Sequence, residues 1–170
     1  MANRTITSPI GDLILVASEH GLSGLGWIAD VVADPSGDRD LADAHLDRAE
    51  LELGEYFAGS RSMFGVTLDR RARAGFRGEV LDVLETVPYG TTVSYTELAQ
   101  MAGRPRAARA VGSAMATNPI AILVPCHRVL PIGDGPGRYA GGTTAKEVLL
   151  RIESDNRQST GGGPMTMQPL

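Results

Sequence analysis

The chain contains a single cysteine, Cys126, which follows a proline and precedes a histidine. A thiol is inert near its usual pKa of about 8.5 and becomes nucleophilic when a base or a positive charge favours the thiolate. His127 could supply that base, directly or through a water molecule. Adjacent side chains of an extended segment point to opposite faces, however, so adjacency alone does not establish the contact. A lone cysteine is also often a small buried hydrophobe, and both interpretations stay open here.

Several classes of protein are disfavoured by composition. One cysteine excludes an internal disulfide bond and a multi-cysteine zinc site, and the three histidines lack metal-ligand spacing. We therefore expect no metal and no cofactor. No apolar run approaches the roughly 20 residues of a membrane span, and the N-terminus lacks a signal-peptide pattern. We expect a cytoplasmic protein that does not contact membranes.

The charge is slightly acidic overall but unevenly distributed. The net charge of −4 argues against a surface that is positive everywhere, so nucleic-acid binding would need a local basic patch. Arginines cluster in two short segments: Arg70, Arg71, Arg73 and Arg77, then Arg104, Arg106 and Arg109. Basic surface helices are common, so this asymmetry is compatible with DNA binding without establishing it.

The first part of the chain predicts a small antiparallel sheet followed by a helix. Strands are expected over 5–7, 13–17 and 22–27, with a turn at Ser8-Pro9-Ile10-Gly11. Residues 34–40 predict a loop. Apolar residues at helical spacing predict a helix over 42–57 that Gly59 ends. Alternation over 64–68 predicts another short strand.

Helical patterns dominate after Arg71. An apolar face runs from Phe76 to Val87, and Ser94-Tyr95-Thr96-Glu97 fits a capping box that starts a helix ending at Gly103. Pro105 suits the first turn of a second helix, rich in small residues, that reaches Asn118. Two helices joined by a tight glycine-containing turn predict a helix-turn-helix. A last helix is expected over 144–153, and residues 157–170 are expected to be disordered.

The segment Pro125-Cys126-His127-Arg128-Val129, preceded by Asn118-Pro119 and a short apolar run, resembles the signature of the O6-alkylguanine-DNA alkyltransferase family. Other segments match in order: Pro88-Tyr89-Gly90, Ser94-Tyr95, residues 107–112, Tyr139-Ala140-Gly141-Gly142 and Lys146-Glu147. The resemblance is dense from Phe76 to Glu153. It implies an α+β fold: an N-terminal α/β ribonuclease-H-like domain (1–70) and a helical, winged-helix-like C-terminal domain (71–156) containing the helix-turn-helix.

The resemblance also implies a reaction. The protein would flip O6-alkylguanine out of duplex DNA and transfer the alkyl group irreversibly to Cys126, once per molecule. His127 would relay the thiol proton through water, and Glu147 would orient that histidine, as in a catalytic triad. Because Thr144-Ala145-Lys146-Glu147 also fits a capping box, a structural role for Glu147 stays open. Asn118 would bridge the second helix and the active-site segment through hydrogen bonds to the backbone.

Further residues would hold the DNA, which is expected to bind through its minor groove to a monomer. Tyr95 would donate to the departing guanine and crowd the DNA backbone, or else only pack the helix start. Arg109 would fill the space of the extruded base, the alternative being a solvated helix arginine. Ala110 and Gly112 would let the second helix enter the groove. Arg104 and Arg106 would contact phosphates, or nothing.

The substrate pocket implied by the resemblance is formed by loop and helix residues. Its members are Met115, Val129, Tyr139, Ala140 and Gly141, with Met115 equally suited to a core position. Pro131 and Ala140 depart from the family pattern and bear on which alkyl groups fit. Three alternatives from other classes remain: a non-catalytic lesion binder, a helix-turn-helix regulator and a cysteine hydrolase. Cys126 disfavours the first, because alkyltransferase-like binders replace the acceptor cysteine.

Overall fold

The computed structural model describes residues 1–27 and 37–160, and it begins with a three-stranded antiparallel sheet. The strands are β1 (Ala2–Ile6), β2 (Leu13–Ser18) and β3 (Gly21–Gly26), in that order across the sheet. The turn between β1 and β2 closes through a hydrogen bond from Gly11 N to Ser8 O, and Gly11 has a φ of +97° that favours glycine. The three predicted strands are confirmed.

Helix α1 (Arg39–Phe57) covers one face of this sheet. Asp38 caps its first turn by accepting a hydrogen bond from Leu41 N. Its buried side chains recur at the helical spacing seen in the sequence: Ala42, Leu46, Ala49, Leu53 and Tyr56. The helix begins within the predicted loop over 34–40, of which residues 34–36 lie outside the described part of the chain.

The short strand expected over 64–68 is not formed. Only Leu68 makes a bridge, to Leu22. The backbone N–H groups of Gly65 and Val66 donate instead to the buried carboxylate of Glu52 on α1, at 2.8 and 3.1 Å. A side chain thus satisfies donors that a strand partner would otherwise take.

The second part of the chain is mainly helical. Helix α2 (Gly75–Leu84) packs on α3 (Tyr95–Met101) and α4 (Ala108–Ala116). The predicted capping box at the start of α3 is present in full: Ser94 accepts from Glu97 N, and Glu97 accepts from Ser94 N. Gly103, with a φ of +75°, turns the chain between α3 and α4. Pro105 lies in that connection rather than in the first turn of α4, which starts three residues later at Ala108.

Two short backbone pairings position the segment that contains Cys126. The edge strand β3 bonds to residues 119–121, through Leu25 N to Pro119 O and Ala121 N to Leu25 O. Strand β4 (Val93–Ser94) pairs in parallel with β5 (Val129–Leu130), just after a single 3-10 turn over Cys126–Arg128. The segment that contains Cys126 is therefore fixed at both ends by neighbouring backbone.

The last helix, α5 (Thr143–Thr160), is longer than the sequence predicts. It starts before Thr144, with Lys146 N bonding to Gly142 O, so the alternative capping box at Thr144 does not form. It also continues through 157–160, which were expected to be disordered. Contacts near its end favour the helix, because Asn156 bonds to the Tyr89 hydroxyl and Arg157 to Gly90 O. The rest of the expected tail, 161–170, lies outside the described residues.

Candidate active site

A cavity of about 690 Å³ opens beside Cys126, a size ordinary for a ligand pocket. Its walls come from α3, α4 and the loop between β5 and α5, and they include most of the predicted pocket and helix residues: Tyr95, Arg109, Gly112, Met115, Cys126, Tyr139 and Ala140. Ser113, Ala116, Pro131, Gly137 and Arg138 complete the lining. Cys126 is only 6% exposed. A molecule must enter this cavity to reach its sulfur.

Asn118 holds the backbone that leads to Cys126. Its side-chain amide donates to Val124 O at 2.8 Å, and its carbonyl accepts from Ile120 N at 3.1 Å. The segment between these bonds contains Ile122, whose φ of +72° is rare for a β-branched residue. The amide clamp offsets the strain of this tight bend. The predicted bonds from Asn118 to the active-site segment are present.

His127 is fully buried and hydrogen-bonded to a carboxylate. Its Nε2 lies 2.7 Å from Oε1 of Glu153. An ionised carboxylate only accepts hydrogen bonds, so Nε2 carries the proton and Nδ1 is left as an acceptor. Nδ1 is buried without a hydrogen-bond partner among the described residues. Burial also lowers the pKa of His127, which keeps the ring neutral and able to take up a proton.

The prediction that Glu147 orients His127 is wrong, because Glu153 occupies that position. Glu147 is exposed. The two residues lie six positions apart on α5, which rotates them about 120° from each other around the helix. Glu153 instead follows Ala145 and Leu149 at intervals of four residues on the buried face of α5. That spacing is visible in the sequence, so helical periodicity would have identified Glu153.

Glu153 accepts hydrogen bonds from several elements at once. Besides His127, its donors are the Tyr56 hydroxyl at 2.8 Å, the Arg128 guanidinium and Gly90 N. Burial by itself would raise the pKa of this carboxyl, but His127 and Arg128 hold it at about 2. Arg128 also donates to Val87 O. The carboxylate thus stays ionised while it joins α1, α5 and the active-site turn.

The ionisation of Glu153 should appear as pH-dependent stability. A carboxyl whose pKa is lower in the folded than in the unfolded protein stabilises the fold above its unfolded pKa, and this contribution disappears as the pH falls through the folded value. The folded pKa is about 2, against an ordinary value of 4.5. We expect this residue to remove about 3 kcal/mol from the free energy of unfolding between about pH 5 and pH 2. Urea titrations of wild type and Glu153→Gln should differ by that amount, and equal pH dependence would contradict the prediction.

Burial raises the pKa of the Cys126 thiol, whereas the neighbouring Asn118, Lys146 and Tyr139 side chains lower it. Lys146 is the only lysine among 16 basic residues, and it is fully buried. Its Nζ donates to the carbonyl oxygen of Val129, a predicted pocket residue, at 2.7 Å. Sequence reasoning gave Lys146 no role, although a lone lysine in an arginine-rich chain was a signal. Its positive charge favours the thiolate.

Two tyrosines beside the cavity keep their protons. Burial, then the nearby Cys126, raises the pKa of Tyr95, and the same two causes raise that of Tyr139 further. Both hydroxyls are therefore hydrogen-bond donors. The Tyr139 hydroxyl is buried without a hydrogen-bond partner in the described part of the chain.

The predicted DNA-facing residues differ in their surroundings. Arg109 is exposed near the start of α4 and lines the cavity, and Gly112 lies one turn further on. Ala110 and Arg106 are exposed outside the cavity. Arg104 lies over the Phe76 ring at 4.9 Å and near Glu79 at 3.7 Å, so it is partly engaged within the protein. Gly141 lies behind the cavity, against Trp27.

Comparisons with known proteins agree over nearly the whole chain. Residues 1–70 match a family model described as 6-O-methylguanine DNA methyltransferase, ribonuclease-like domain, and residues 75–155 match the DNA binding domain of the same family. A methylated-DNA–protein-cysteine methyltransferase of Mycolicibacterium paratuberculosis is 43% identical over 88% of this chain and 90% of its own length. The corresponding protein of Methanosarcina acetivorans is 38% identical over 86% and 94%.

A solved structure shows the same fold. The crystal structure of Mycobacterium tuberculosis OGT in complex with DNA aligns with a TM-score of 0.77 and 40% identity, covering 91% of this chain and 93% of that chain. The predicted α+β fold, with a ribonuclease-like domain followed by a helical DNA-binding domain, is confirmed. Within residues 1–27 and 37–160, no helix has the length and apolar content of a membrane span.

Proposed function

The chain belongs to the 6-O-methylguanine DNA methyltransferase family, and on this premise we propose that Cys126 accepts the alkyl group. The protein is a DNA-binding methylated-DNA–protein-cysteine methyltransferase that repairs DNA by alkyl transfer. The observation that carries the assignment to Cys126 is a cysteine lining a cavity and followed directly by a buried, neutral histidine whose Nδ1 has no hydrogen-bond partner among the described residues.

The reaction exchanges one bond to the alkyl carbon for another. The Cys126 sulfur attacks the carbon attached to O6 of an extruded guanine, so a carbon–sulfur bond forms as the carbon–oxygen bond breaks. The thiol proton passes through a water molecule to Nδ1 of His127, whose resulting charge Glu153 stabilises. Tyr95 gives a proton to the guanine as it leaves and regains one from water, while His127 returns its proton to water, so that in net one proton moves from sulfur to guanine. The products are guanine and a stable thioether, so each molecule reacts once.

The cavity opens beside helices α3 and α4, which contribute part of its lining. We propose that α4 enters the minor groove, where its small residues Ala110 and Gly112 permit close approach. Arg109 fills the position of the extruded base, and Arg106 contacts phosphate. Met115, Tyr139, Ala140 and the Val129 carbonyl receive the base. The substrate is O6-alkylguanine in duplex DNA, bound by a monomer in the cytoplasm, where a single cysteine stays reduced. The division into domains at residue 70 and the end of the second domain near 156 belong to the same proposal.

The proposal is tested by incubating the protein with O6-benzylguanine and measuring its intact mass. We expect wild type to gain one benzyl group, mapped to the peptide containing Cys126, and Cys126→Ser to gain none. With O6-methylguanine in a duplex, we expect one repaired base per protein molecule. An unmodified wild type would exclude alkyl transfer and leave a non-catalytic lesion binder, and repeated turnover would indicate a hydrolase.

A further inference from the structure

Trp27, the only tryptophan of the chain, follows β3 and contacts the loop that forms one wall of the cavity. Its indole N–H donates to Ile10 O at 2.8 Å, which fixes the ring on the turn between β1 and β2. Its ring meets that of Tyr139 edge to face, with centroids 5.4 Å apart and planes at 79°. This is a favourable geometry for an aromatic pair.

Gly141 lies directly against the same indole. A Cβ atom added to Gly141 would lie 2.2 Å from Cζ2 of Trp27, far closer than van der Waals contact. The close approach of the ring therefore requires glycine here. Gly142 differs: its φ is +87°, and an added Cβ would have nothing within 4 Å. Backbone conformation favours glycine at Gly142, whereas packing requires it at Gly141.

The other end of this wall loop is also held. An atom added to Gly137 would lie 2.8 Å from Cδ of Pro131, so these two residues pack tightly where the loop leaves β5. Trp27, by contrast, supports the loop from the N-terminal sheet. Strand β3, which precedes it, also bonds to residues 119–121, which lead to Cys126. One strand therefore supports both the reacting segment and the wall facing it.

We propose that Trp27 is a positioning residue that holds Tyr139 and Gly141 in the shape that receives the extruded base. This inference rests on the proposed function. Trp27 does not line the cavity with Tyr95 and Cys126; it acts through Tyr139. The ribonuclease-like half of the chain thus takes part in selecting the base, while the chemistry stays with the other half.

The test is a double-mutant cycle on benzylation by free O6-benzylguanine. Trp27→Ala should raise the half-saturating concentration about tenfold, the upper range for an aromatic pair, and leave the limiting rate within about threefold. Trp27→Phe keeps a ring edge toward Tyr139 and should recover most of the loss. Gly141→Ala should raise the half-saturating concentration in the wild-type background, and far less when combined with Trp27→Ala, because the clash is gone.

Gly142→Ala is the matched control. This substitution acts through backbone conformation, so it should change the half-saturating concentration by the same factor in the wild-type and Trp27→Ala backgrounds. Active protein is titrated in each variant, since a loss of folding lowers the active fraction but not the half-saturating concentration. The inference fails if wild type is benzylated but Trp27→Ala has the wild-type half-saturating concentration. It also fails if Gly141→Ala raises the half-saturating concentration by the same factor in both backgrounds. An unreactive wild type would instead overturn the proposed function.

Discussion

Replacing Glu153 by glutamine is expected to slow benzylation of Cys126 by on the order of 100-fold or more, the range contributed by general-base catalysis. Glutamine can still accept a bond from His127, but it loses the charge that stabilises the protonated imidazole. It also presents an amide to Arg128 and Tyr56, which in the wild-type protein donate hydrogen bonds to the Glu153 carboxylate. The measurement is the rate constant at saturating O6-benzylguanine, determined across pH for both proteins. The pH dependence of this rate constant should differ between wild type and Glu153→Gln.

Glu147→Gln is the matched control, since it makes the same change at an exposed position of the same helix. We expect its rate to stay within about twofold of wild type, as for surface substitutions away from the site. Glu153→Gln also weakens a buried ion pair, so folding is checked by circular dichroism and by binding to undamaged DNA. A folded Glu153→Gln protein with a normal rate would contradict the role of Glu153, as would a Glu147→Gln protein that is equally slow.

Removing the side chain of Arg109 is expected to slow the repair of duplex DNA much more than the reaction with a free base. Extruding a base costs a few kcal/mol of stacking and pairing, and in the proposed function Arg109 offsets part of this cost by occupying the vacated space. Arg109→Ala should therefore slow repair of O6-methylguanine in a duplex by about 100-fold, corresponding to roughly 3 kcal/mol. Reaction with free O6-benzylguanine, which needs no extrusion, should stay within about threefold of wild type.

Arg106→Ala provides the comparison, because Arg106 is also exposed but lies outside the cavity. Loss of a phosphate contact should weaken duplex binding modestly and reduce its salt dependence. Both substrates are assayed under single-turnover conditions at matched salt. Equal losses on duplex and free base for Arg109→Ala would remove its role in extrusion and indicate damage to the cavity.

Local sequence signals predicted most elements of this fold. The capping box at Ser94 and Glu97 and the apolar face of α1 each depend on a few residues close in sequence, and both are present. The strand expected over 64–68 does not form, because the backbone N–H groups of Gly65 and Val66 donate to the carboxylate of Glu52, a residue of α1 that is distant in sequence. Pattern alone does not contain that competition.

The candidate site was predictable to a similar degree. Cys126, Tyr95 and Tyr139 were identified from the motif, and the cavity brings them together. Glu153 was missed because the resemblance favours Glu147, next to the matched Lys146, whereas only the buried periodicity of α5 indicates Glu153. Trp27 could not be assigned from sequence, because its contact with Gly141 joins residues that are far apart along the chain.

The parallel pairing of β4 with β5 has a consequence for protein engineering. Val93 pairs with Val129 and Ser94 with Leu130, so Tyr95 and the turn that contains Cys126 are held beside each other before the wall loop begins. Residues 132–136 of that loop can therefore be randomised, with Gly137 kept against Pro131 and with Tyr139 and Gly141 kept against Trp27. Such libraries would vary which O6-alkyl groups fit the cavity, while the backbone pairing next to Tyr95 and Cys126 stays unchanged.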